Sequence, residues 1–183
     1  MCSSDLQLLL ISGHTIVYFF MKSWALHIGA GNPGLFFTCV NLSTIAVRVL
    51  GMGALDKVNP ARTTGLAMLF MAGLVPAFSL AGSGTALLFM AAPFGLALGL
   101  TMPLLNAAMF RASPVQLRAA NANLLMLALD AGFILGPVIG GHMLAAGAPL
   151  PLLFAVCGGV MLAGGLCVLR AARHTPALGS GRL

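Results

Sequence analysis

Residues 124–147 read LLMLALDAGFILGPVIGGHMLAAG. A single acid, Asp130, stands in a run long enough to cross a bilayer, because about 20 apolar residues rising 1.5 Å each span about 30 Å of hydrocarbon. Ala128, Gly132, Gly136 and Gly140 recur every four residues, so on a helix they form a smooth stripe on which another helix backbone can lie closely. Pro137 cannot donate to the carbonyl of Phe133, and a bend is expected there. The stretch predicts a membrane-spanning helix with a small-residue seam on one face and a buried acid on another.

The rest of the chain agrees. Its 183 residues are 60% hydrophobic and only 7% charged, with a mean hydropathy of +1.03. A soluble domain carries roughly 25% charged residues, so this composition cannot give a globule of that size a wettable surface. The apolar runs are long and unalternated, which excludes a membrane β-barrel. Gly, Pro and polar stretches divide the chain into segments at 7–28, 34–53, 63–81, 85–109, 120–145 and 150–170, predicting an all-α polytopic protein with six transmembrane helices. Residues 7–170 form that bundle. Met1–Leu6 leave almost no leader and read as a truncated or non-native start, and residues 171–183 read as a polar cytoplasmic tail.

The net charge of +6 does not indicate nucleic acid, since the basic residues are spread singly along the chain. Each short loop reverses the chain, which places Arg48, Lys57, Arg62, Arg111, Arg118, Arg170, Arg173 and Arg182 on one side and only Lys22 towards the other. Positive charge stays in the cytoplasm, so the chain is expected to span the inner (plasma) membrane with both ends on the cytoplasmic side. Cys2, Cys39, Cys157 and Cys167 make no CxxC pair and read as small buried hydrophobes. Gly29-Ala-Gly31-Asn-Pro-Gly34 satisfies GxGxxG formally, but it joins two spans and contains Pro33, so it reads as an external turn. No metal or cofactor site emerges.

Ionisable groups in hydrocarbon are costly and mark function by default. Asp130 lies about 18 Å from Arg118, near the bilayer middle, and shares a helix face with Asn123, away from the glycine stripe. His14, Tyr18 and Lys22 form a polar stripe on the first helix, with Lys22 roughly 22 Å from the inner end. That depth leaves a Lys22–Asp130 pair open, although Lys22 beside Trp24 can equally snorkel to the outer interface. Pro93, Gly95, Gly99, Pro103 and Asn106 predict an interrupted fourth helix lining a midplane cavity, with Met90, Met102, Met109 and Phe94 as its adaptable wall.

Gly132-x-x-x-Gly136-Pro137-x-x-Gly140-Gly141 resembles the antiporter signature of the major facilitator superfamily, carried in the fifth helix of a half. The loop Arg48-Val-Leu-Gly51-Met-Gly53-Ala-Leu-Asp56-Lys57-Val-Asn59-Pro60-Ala-Arg62 resembles that family's acidic-basic loop after a second helix. An acid at a helix end followed by a basic turn can latch neighbouring helix ends. Met52 stands where Gly is usual, and Asn59, Pro60 and Ala61 replace the following Gly and basic residues, a degeneracy similar to the second-half copy. The fourth helix also lacks the Arg expected in a first half. The resemblance implies helices seven to twelve, one half of a transporter whose first, second, fourth and fifth helices face a cavity shared with a missing N-terminal half. It implies proton-coupled export of a small molecule, with the Asp130 helix at the moving interface. The competing readings are a membrane enzyme and a non-transporting remnant; an enzyme would need paired acids, a metal-binding His cluster or a nucleophile with its base, and Asp5, Asp56 and Asp130 are far apart.

Overall fold

The structure, a computed structural model, describes residues 3–55 and 58–174, and side chains within 13–51, 53, 58–111, 113–170 and 172. Six helices follow one another: α1 Ser3–His27, α2 Gly34–Leu55, α3 Pro60–Ala77, α4 Gly84–Ala112, α5 Arg118–Ala145 and α6 Leu150–His174. Each predicted segment corresponds to one of them. α6 continues four residues into the expected tail, and the remainder of that tail, with Asp56 and Lys57 of the loop motif, lies outside the described residues.

Local chemistry sets the boundaries. Gly29 adopts φ 70° and Gly147 φ 83°, a left-handed conformation that costs glycine least. After each, a six-to-one hydrogen bond closes the helix end, Ala30 N to Ala25 O at 2.8 Å and Ala148 N to Met143 O at 3.0 Å, the geometry of a Schellman cap. Asn59 Oδ1 accepts from Arg62 N ahead of Pro60, and Ser83 Oγ accepts from Ala86 N, so α3 and α4 start on N-caps. α4 runs unbroken through Pro93 and Pro103, and α5 through Pro137.

Among the described residues, five helices, α2 to α6, are long and apolar enough to cross a membrane. α1 also has the length, at 25 residues. Packing gives it its place in the bundle. α1 lies on α5 and α6, α2 on α4, α3 on α4 and α6, and α1 touches α4 lightly. Exchanging α1, α2 and α3 with α4, α5 and α6 returns the same scheme: α1·α5 becomes α4·α2, α1·α6 becomes α4·α3, and α3·α6 maps on itself. The core lies between these layers, centred on Met21, Met68, Met71, Phe78, Phe94 and Phe154, all fully buried.

Candidate transport face and its seams

Two parallel helix pairs, α1·α5 and α2·α4, carry the expected site residues. Glycines let each pair close. A Cβ on Gly95 would overlap the Val40 carbonyl of α2, one on Gly99 would crowd Thr44 and Val47, and one on Gly140 would enter the Phe20 ring of α1. Each seam also carries a threonine hydrogen bond to a backbone carbonyl, and Cys39 Sγ of α2 adds a longer one to Leu88 O of α4 at 3.8 Å. Thr15 Oγ1 donates to Gly132 O at 3.0 Å, and Thr44 Oγ1 donates to Gly95 O at 2.9 Å. Such bonds between helices add modest specificity in lipid, about 0.6 kcal/mol on average.

The expected stripe of Ala128, Gly132, Gly136 and Gly140 is buried, and its partner is α1 of the same bundle. Pro137 and Gly141 sit at its edge, half-buried. The opposite side of α5 is exposed, and Asp130 and Asn123 both lie on it.

Lys22 does not meet Asp130. Thr15 is level with Gly132 and Phe20 with Gly140, so the register sets Asp130 near residue 14 of α1 and Lys22 roughly 12 Å further along. The depth inferred by counting along the apolar run from residue 7 failed because α1 begins at Ser3, level with the start of α5, so Lys22 lies four residues further from that end than the count allowed. Lys22 is exposed next to buried Trp24, the arrangement of a side chain free to snorkel.

His14 is buried. Its ring stacks 5.9 Å from Phe94 of α4 and tilts 5.5 Å from Tyr18, while its Nδ1 is buried with no hydrogen-bond partner. Tyr18 is partly exposed, tilts against Phe37 of α2 at 4.7 Å and accepts a long hydrogen bond from Asn41 Nδ2 at 3.4 Å. This brings α1, α2 and α4 together around one patch. Asn41, Phe37, Thr15 and Thr44 were not singled out from sequence. A polar side chain in each apolar run marked Asn41 and the threonines, but nothing local marked Phe37.

The fourth helix corrects two expectations. It is not interrupted, and its glycine face is sealed against α2, with the Gly95 carbonyl taken by Thr44. Phe94 and Met109 are buried in the core rather than walls of a cavity, while Asn106 is half-buried. A pocket of about 320 Å³ lies elsewhere, beside the 29–34 turn, between Ala30, Asn32, Phe36, Gly84 and Thr85; none of the expected site residues lines it.

The model of the Major Facilitator Superfamily matches residues 6–182. The chain belongs to the major facilitator superfamily. No curated protein matches it. In this superfamily each six-helix half contains a nested three-plus-three inverted repeat, and the exchange symmetry of α1–α3 with α4–α6 is that repeat expressed as packing. This major facilitator chain is therefore a multi-pass membrane protein of a transporter family, with six helices in the arrangement of one half.

Proposed function

We propose that this chain is the second six-helix half of a proton-coupled exporter of small amphipathic molecules, and that Asp130 is the group that takes up and releases the proton. The observation that carries the reading is the position of Asp130: mid-helix, on the exposed side of α5, away from the seam with α1. A carboxylate at that depth is too costly to face lipid, so this side of α5 faces the missing half or the water-filled space between halves. Asn123 extends the same polar track towards the end where Arg118 lies.

Substrate would meet the Tyr18, Phe37 and Asn41 patch, which offers aromatic faces and one amide to an amphipathic ligand. His14, beneath Tyr18, is the secondary proton site, and Asn106 a polar contact of α4. Because α5 is locked to α1 through Thr15, the two would rock as one unit against the other half. The loop of Arg48, Asp56, Lys57 and Arg62 would latch one end state. The degenerate loop and the antiporter-like α5 stretch support the second-half and export assignments. The positive-inside rule supports an inner-membrane location with both ends cytoplasmic.

In vesicles carrying the complete transporter, Asp130→Asn should abolish proton-driven efflux while insertion stays intact. Unchanged flux would remove Asp130 from this role. The six-helix chain alone should bind substrate weakly and transport nothing until the complementary half is supplied.

A further inference from the structure

The side of the α3·α6 pair that turns away from the core has a composition of its own. Gly65 packs on Gly165 and Leu169, and Gly158 on Ala72 and Pro76, which fixes an antiparallel register. That register sets Arg62 opposite Arg170, Leu66 opposite Leu166 and Phe70 opposite Leu162, to within about one residue. All six are exposed. At about 100° per residue, each lies on the same side of the line joining the two helices, while Met68, Met71, Val75, Phe154, Cys157 and Met161 on the other side are buried. Gly73 and Gly159 also open on the outer side and have nothing within 4 Å of a built Cβ, so each stripe continues past Phe70 and Leu162 with open space instead of a side chain.

Two guanidinium groups thus stand at one level, at the head of a double apolar stripe. Arg62 is in the first turn of α3, where the helix dipole is already positive. Neither guanidinium has a hydrogen-bond or ion-pair partner among the described residues, and the one carboxylate among the described side chains, Asp130, is twelve residues into α5. No described side chain supplies the compensating anion, which leaves the pair open to one from outside the bundle. A phosphodiester suits it, because guanidinium binds phosphate oxygens in a bidentate fork.

We propose that this face holds an anionic phospholipid, its phosphate between Arg62 and Arg170 and its acyl chains along Leu66 and Phe70 on α3 and Leu166 and Leu162 on α6, running on over the open Gly73 and Gly159. The inference rests on the membrane-spanning reading and not on the transport mechanism, so loss of proton-coupled flux would leave it standing.

Native mass spectrometry of the 183-residue chain in detergent, with phosphatidylglycerol or phosphatidylcholine added, tests it. The unmodified chain should retain phosphatidylglycerol preferentially. Arg62→Ala/Arg170→Ala should erase the preference, by about fivefold for each arginine near the interface. Arg62→Lys/Arg170→Lys should keep much of it, and this pair reports on the site even if the alanine pair loses helical content by circular dichroism. Arg48→Ala/Arg118→Ala removes the same charge from the same end of the bundle and should keep the preference. Equal losses in the two alanine pairs, equal retention of the two lipids, or displacement of the bound lipid by millimolar inorganic phosphate alone would overturn the proposal.

Discussion

Glycine decides more of this structure than any larger residue, and it does so by position. At Gly95 a methyl group would run into the carbonyl of Val40, a backbone atom that cannot turn aside, whereas Gly73 opens on nothing. Gly95→Ala should therefore cost about 1–3 kcal/mol of stability, as overpacking does, while Gly73→Ala, in a helix interior with open space, should gain about 0.5–1 kcal/mol. Thermal unfolding of the purified variants in detergent measures both; equal midpoints would show that the α2·α4 seam is looser than described. His14 follows the same logic from the polar side. It is buried between Tyr18 and Phe94 with a ring nitrogen unsatisfied, so in His14→Phe the loss of that nitrogen's desolvation penalty, about 1–3 kcal/mol, offsets a cost of about 1–3 kcal/mol for fitting a larger ring, and the fold should be preserved.

At the level of helices, the two threonine bonds define which elements travel together. Thr15→Val and Thr44→Val each remove one bond of about 0.6 kcal/mol on average. The double variant should lose the sum, because the seams are separate and distant sites add. A loss well above the sum in a chemical-denaturation series would mean that the α1·α5 and α2·α4 pairs are coupled through the His14–Phe94 contact. The helices themselves were legible in the sequence, since Asn59 before Pro60, Ser83, Gly29 and Gly147 are punctuation that acts within a few residues. Their pairing was not. Which helix the stripe of Gly132, Gly136 and Gly140 would meet depends on contacts with α1, more than a hundred residues earlier in the chain, and periodicity carries no such information. The same holds for Phe94, whose apolar side chain is equally at home in a core or a cavity wall, and for Lys22, whose level relative to Asp130 follows from the tilt and register of α1 on α5. Asp130 and Asn123 were readable because a charge and an amide seven residues apart in an apolar helix need no partner to be conspicuous.

At the level of the whole molecule, the α2·α4 and α1·α5 pairs are parallel and the α3·α6 pair antiparallel, which brings Arg48, Arg62, Arg111, Arg118 and Arg170 to one end of the bundle. Cysteines placed at 62 and 118 should accordingly react with an impermeant reagent from the same side of a sealed vesicle. Labelling from opposite sides would overturn the six-span topology. Among the described residues, every extensive helix contact joins one of α1–α3 to one of α4–α6, and contacts within either group of three are slight. Translation at about 5–20 residues per second needs roughly 5–18 s to produce α4–α6 after α3 has been made. For that time the sides of the first three helices that pack on α4–α6 are uncovered, and the nascent chain is most exposed to membrane-bound quality control.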